Sequence, residues 1–174
     1  MKILITGAAG FIGFHTAKFL LDRGDEIVGI DNLNNYYDLN LKLNRLDLLK
    51  KNDNFSFFKI DISKKNLLNE IFKKTNPNKV IHLAAQAGVR HSIEHPDIYI
   101  KSNIVGFTNI LESCRSFHTE HFVFASSSSV YGGNTLLPFS ENQTVDHPIS
   151  LYAATKKSNE LIAHTYSHLY QIPS

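Results

Sequence analysis

The sequence predicts an α/β fold, a doubly wound parallel sheet with helices on both faces, and three observations carry that prediction. Strand-like and helix-like patterns alternate along the whole chain, as parallel strands require, because each needs a crossover helix to reach the next. The chain opens on a short apolar run that enters a glycine-rich turn and passes directly into a helical pattern, from Lys2 to Leu21. The composition is that of a globular chain: 174 residues, 43% hydrophobic and 20% charged, which leaves disordered, collagen-like and coiled-coil alternatives without support. At this length folding buries roughly 70% of the unfolded surface, enough for a core without covalent staples.

The elements follow in order. Lys2 to Thr6 is an apolar run bounded by glycine, Phe14 to Leu21 has helical spacing, and Glu26 to Ile30 is a second apolar run ending at Asp31, which completes one βαβ unit. Asp38 to Lys51 is predicted helical, with Leu39, Leu43, Leu46 and Leu49 on or near one face. Phe55 to Ile60, Val80 to Leu83 and Phe122 to Ala125 are short and rich in β-branched or aromatic residues, hence strands. Ser63 to Lys74 reads as a helix capped by Ser63. Pro96 to Arg115 and Ser150 to Tyr170 read as two long helices, the first with a proline near its start, where a missing N–H is not needed. Gln171, Ile172, Pro173 and Ser174 resemble the approach to a further strand, so residues 1–174 are expected to be one nucleotide-binding unit cut short of its last strands and of a substrate domain.

Composition also narrows the function. Eighteen Lys and Arg against 16 Asp and Glu give a net charge of +2, and the basic residues are dispersed, which argues against nucleic acid as a partner. The single cysteine, Cys114, excludes an internal disulfide and a cysteine-rich metal site and suits a reducing compartment. No apolar run reaches the roughly 18 residues of a membrane span. The N-terminal run meets Gly7 too early for a signal peptide. The expected location is cytoplasmic, with no membrane partner. Of the nine histidines, His164 and His168 at i and i+4 read as a polar helix face rather than a zinc site, and no metal is expected.

Two constellations carry chemistry. Gly7-Ala8-Ala9-Gly10-Phe11-Ile12-Gly13 has the form GxxGxxG between the first strand and first helix, where a pyrophosphate meets backbone N–H groups and a helix N-terminus. Asp31 ends the next strand 18 residues after Gly13, placed to accept from an adenosine ribose and to repel a 2′-phosphate, which favours NAD over NADP. Asp61, at the end of the third strand, is placed to meet the adenine amino group. The second constellation is Tyr152-Ala153-Ala154-Thr155-Lys156, a phenol and an ammonium four residues apart on one helix face, where the lysine favours the phenolate. The serine run Ser126 to Ser129 follows a strand and so emerges at the carboxyl end of the sheet, where open α/β sheets bind ligands.

Taken together, the glycine loop, acidic strand end, Leu83-Ala84-Ala85, Asn103, serine run and YxxxK resemble, in order, the extended short-chain dehydrogenase/reductase family with its Rossmann-like fold. Asp31 to Asp38, Ala84 to Arg90 and Ser150 to Lys157 are similar to the corresponding strings of bacterial UDP-glucuronate 4-epimerases. The resemblance implies Tyr152 as base, Lys156 as the residue that lowers its pKa and holds the nicotinamide ribose, and Ser127 as the catalytic hydroxyl with Ser126 and Ser128 supporting it. It implies cofactor contacts at Gly7, Gly10, Phe11, Ile12, Gly13, Asp31, Asn32, Asp61, Ile62, Leu83, Ala84 and Ala85, with Asn103 either structural or at the cofactor. Arg90 is expected to meet a sugar acid or phosphate, or else to be a solvated surface residue. The implied reaction is NAD-dependent epimerisation at C4 of a UDP-sugar through a 4-keto intermediate, most simply UDP-glucuronate to UDP-galacturonate, in a homodimer built by the two long helices. Ser128 and Ser129 stand where related dehydratases carry Asp and Glu, which weighs against elimination. A neutral-sugar epimerase, a dehydratase or decarboxylase, and a silent NAD-binding fragment stay open.

Overall fold

The computed structural model describes residues 1–174. Five strands, β1 (Lys2–Thr6), β2 (Glu26–Asp31), β3 (Phe55–Lys59), β4 (Lys79–His82) and β5 (His121–Phe124), form one sheet in the order β3-β2-β1-β4-β5. Every neighbouring pair is parallel. The chain winds outward from β1 in one direction through β2 and β3, then returns to β4 on its other side, so a crevice opens at the carboxyl ends of β1 and β4.

Helices cover both faces, and the strand alternation decides which residue meets which layer. Ile3 and Ile5 of β1 pack with Phe14, Ala17, Leu20 and Leu21 of α1 (Phe11–Asp22) and Leu49 of α2 (Leu39–Leu49). Leu4, between them, points the other way. It joins a larger core with Leu68 and Phe72 of α3 (Lys65–Thr75), Phe107, Ile110 and Leu111 of α6 (Phe107–Ser116), and Ala163 of α7 (Leu151–Tyr170). Two one-turn helices, α4 (His91–Glu94) and α5 (Pro96–Tyr99), precede α6.

Several local expectations are revised. Ser63 does not cap α3: the carboxylate of Asp61 takes the Ser63 N–H at 2.9 Å, the helix starts two residues later, and the Ser63 hydroxyl is left without a partner. The run from Pro96 is helical throughout, but Ile100–Gly106 is a π-helix between α5 and α6. At its centre Asn103 is drawn to the loop after β4, and its carbonyl accepts from Asn159 Nδ2. β4 ends at His82: the Leu83 N–H is shared between the Thr6 carbonyl and Thr6 Oγ1, both at 3.2 Å, and the Ala84 N–H goes to Thr6 Oγ1 at 3.1 Å. On α2 the inward residues are Lys42, Leu46 and Leu49, while Leu39 and Leu43 are exposed. The lysine goes in because its ammonium finds partners there. At the other end of the chain, Ile172 enters the larger core and Pro173 O accepts the Phe122 N–H at 2.8 Å, so the tail runs beside β5.

Candidate dinucleotide cleft and adjoining catalytic segment

The crevice is a cleft of about 270 Å³ whose wall includes Gly7, Gly10, Asp31, Asn32, Asp61, Ile62, Leu83, Ala84 and Ala85. Nine of the sequence-predicted cofactor positions therefore converge in space. Gly7 has φ +71° and a Cβ there would lie 2.9 Å from Ala84 N, so only glycine lets the loop after β1 pass this close to the loop after β4. A Cβ on Gly13 would collide with the Gly7 carbonyl, which makes Gly13 the residue that seats α1 against the loop. Phe11 and Ile12 start α1 and are largely exposed, outside the cleft wall.

Asp31 is buried and already well engaged: Oδ1 accepts from Leu33 N at 2.8 Å and Oδ2 from Ala9 N at 3.3 Å. Lys42 Nζ stands 3.5 Å from Oδ1 and donates to Asn34 Oδ1 at 2.8 Å, with Tyr37 below it. Lys42 is a site residue that sequence reasoning passes over. Its only signal is spacing, four and seven residues before the core leucines Leu46 and Leu49. Burial disfavours ionisation of Asp61, but the hydrogen bond from the Ser63 N–H and the charge of Lys101, 3.4 Å away, outweigh it and hold the carboxyl below its usual range. Ile30, Asn34, Tyr36, Tyr37, Ile60, Gln86, Ala87 and Ser102 complete the cleft wall.

The Tyr152 segment adjoins this cleft. Ser150 caps α7, its Oγ accepting from Ala153 N at 3.1 Å, which sets Tyr152 in the first turn and Lys156 in the next. The Tyr152 N–H donates to Ser92 Oγ, and its ring meets Tyr99 edge-on. Lys156 is buried and donates to the Ala125 carbonyl at 3.0 Å, where β5 gives way to the serine run. Burial depresses its pKa to about 8. His82, fully buried, is pushed down to about 3 by burial and by the charge of Lys156, so it stays neutral and bonds Thr6 Oγ1 at 2.8 Å.

The serines divide. Ser127 Oγ lies 2.7 Å from Ser129 Oγ and caps the short helix Ser128–Tyr131. Ser126 turns to Glu160 at 2.5 Å, and Ser128 is exposed. Arg90 is exposed beside α4. Asn103 lies outside the cleft wall and is fully used: it accepts from Gln86 N, and donates to Gln86 O and Thr155 Oγ1. It clamps the loop after β4 to α7. Cys114 is buried with its thiol raised to about 12, chemically quiet.

Residues 4–174 match the family described as GDP-mannose 4,6 dehydratase. The protein CapI of Staphylococcus aureus is 56% identical over 174 residues, all of this chain and 52% of that protein. The UDP-glucuronate 4-epimerase of Thermodesulfobacterium geofontis is 50% identical over 167 residues, 96% of this chain and 51% of that one. Among solved structures, the UDP-glucuronic acid 4-epimerase of Bacillus cereus, in complex with UDP-glucuronic acid and NAD, superposes with a TM-score of 0.91 at 36% identity, covering 99% of this chain and 54% of that one. The chain thus spans about half the length of the curated relatives it matches.

Proposed function

The chain belongs to the GDP-mannose 4,6 dehydratase family, and from that premise we propose that it is the NAD-binding half of a UDP-sugar 4-epimerase acting on UDP-glucuronate. The observation that carries the reading is the convergence at one edge of the sheet: a glycine-walled cleft, and beside it Tyr152 and Lys156 on successive turns of α7, with Lys156 fixed to the Ala125 carbonyl. The similarity to UDP-glucuronate 4-epimerases, one solved with UDP-glucuronic acid and NAD, supports the substrate class.

The residues fit a dinucleotide. Gly7 and Gly10 allow a pyrophosphate to approach backbone at the start of α1, Asp31 is placed for the adenosine ribose and Asp61 for the adenine. NAD, when bound, supplies the acceptor and then the donor of the C4 hydrogen with its electron pair. Tyr152, as phenolate, removes the proton of the sugar 4-hydroxyl, and Ser127 hydrogen-bonds the same oxygen as it becomes a ketone. The Lys156 ammonium, its pKa lowered to about 8 by burial, stabilises the phenolate electrostatically. Return of the hydrogen to the opposite face of the ketone, with Tyr152 giving back the proton, inverts C4 without net oxidation. Ser128 and Ser129, both lacking an ionisable side chain, offer no acid–base pair for losing water, which favours epimerisation over dehydration.

The apolar groove formed by Ile100, Ile104, Leu151, Ala154, Leu161 and Ile162 is assigned to a homodimer interface between the π-helix and α7. No helix is long and apolar enough to cross a membrane, and the proposed location is the cytoplasm. Proton NMR of UDP-glucuronate incubated with the protein and NAD tests the reaction through the C4 configuration. UDP-galacturonate is the expected product, and Tyr152→Phe lowers its rate by about 10² to 10⁴ while NAD binding is kept. Normal turnover by that variant would sink the assignment of the base, and NAD binding with an unchanged sugar would favour a silent cofactor module.

A further inference from the structure

The turn that carries α4 brings three side chains of metal-binding type together beside Tyr36, a residue of the cleft wall. His91 opens the helix and His95 closes it, and the His95 N–H donates to His91 O at 3.1 Å, so the turn is closed and the two rings meet at a tilt of 48°, centroids 4.3 Å apart. Glu94 lies between them in sequence, and donor atoms of His91, Glu94 and His95 all fall within 4.8 Å of one another. Hydrogen bonding in this turn falls on Ser92, whose Oγ donates to Val89 O and accepts the Tyr152 N–H, leaving the side chains of His91, Glu94 and His95 without partners. Glu94 and His95 are exposed and free to rotate, whereas His91 is half-buried, its ring held against Tyr36 and Tyr99 at 5.0 and 6.1 Å.

We propose that His91, Glu94 and His95 form a binding site for a borderline divalent cation, Zn²⁺ by the chemistry of the set. Two imidazoles and one carboxylate suit Zn²⁺, whereas Mg²⁺ and Ca²⁺ want oxygen ligands throughout. Tetrahedral bonds of about 2.0–2.1 Å place ligand atoms roughly 3.4 Å apart, so the present spread closes by side-chain rotation alone, and water or an anion takes the fourth position. His164 and His168 have the same i, i+4 spacing but belong to no such three-ligand group. A cation here ties the two ends of α4 together. Because α4 holds Ser92 under the Tyr152 amide, it also braces the turn on which the first residues of α7 rest. The site stands independently of which sugar the protein acts on.

The test is titration of the untagged protein with ZnCl₂ against a competing chromophoric chelator, with Co²⁺ absorption reporting coordination number. One equivalent of Zn²⁺ is expected, with a Tm that rises on adding the ion. His95→Asn and His91→Phe each weaken the affinity at least about tenfold and abolish the Tm rise, and Glu94→Gln weakens it less. These side chains carry no structural hydrogen bond, so the variants should fold, and circular dichroism checks that they do. Unchanged binding in the His95→Asn and His91→Phe variants, loss of binding in a His164→Ala, His168→Ala variant instead, or no one-to-one binding in the unaltered protein would each overturn the proposal.

Discussion

Lys156 offers a direct measure of what burial does to the ammonium that the proposed mechanism uses. Its residue is only 6% exposed, and desolvation takes its pKa from 10.5 to about 8. Because the folded value lies below the unfolded one, the folded state disfavours the ammonium. The resulting destabilisation is in full force below pH about 8, is relieved as pH rises through that value, and is gone above the unfolded pKa of 10.5. Integrating the linkage between pH 7 and pH 10 gives a gain of about 2.5 kcal/mol from this one group. Urea unfolding of the protein and of Lys156→Met at both pH values isolates it, since other titrations cancel in the difference. The methionine variant also leaves the Ala125 carbonyl without its donor, but that penalty is the same at both pH values. Wild type minus variant should therefore increase by about 2 to 3 kcal/mol from pH 7 to pH 10. A difference that does not move with pH would mean that the ammonium is solvated in the fold and that burial is not what tunes it.

Other perturbations separate packing, polar satisfaction and association. Gly7→Ala suffers both positive φ and collision with the Ala84 backbone, whereas Gly24→Ala, at φ +93° with nothing within 4 Å, suffers only the first. Thermal unfolding should show about 2–4 kcal/mol lost at Gly7 against about 1 at Gly24. Asn103→Leu strands the Gln86 N–H and carbonyl in the interior and should lower stability by about 2–4 kcal/mol, or Tm by roughly 5–15 °C. Leu161→Lys puts a charge into the groove assigned to the dimer, and light scattering should show a shift towards monomer with the far-ultraviolet dichroism unchanged.

What the residues determine alone is whatever rests on local periodicity and on chain order. The alternation of short apolar runs with helical spacings gave five parallel strands, because no other arrangement connects them. The positions of Gly7, Gly10 and Asp31 follow from the same order, since a loop after β1 and an end of β2 are neighbours in any such sheet. Ser150 caps the long helix expected from it to Tyr170, and its partner, the Ala153 N–H, lies only three residues on. Ser63, expected to cap α3, does not: its N–H is drawn into a turn onto the Asp61 carboxylate, which Lys101 faces at the cleft, and the helix starts at Lys65 with Lys64 as its N-cap. Tertiary structure alone decided which face of α2 turns inward, because only the fold brings Asp31 and Asn34 to a buried Lys42. It also decided that Asn103 is a clamp: its partners Gln86, Thr155 and Asn159 lie 17, 52 and 56 residues away. The spacing of His91, Glu94 and His95 is local, yet their meeting depends on α4 closing as a helical turn, with Tyr36 and Tyr99 packed against His91. Local rules place backbone and hydrophobic faces, whereas a polar side chain takes its role from whichever partners the finished fold delivers within hydrogen-bonding reach.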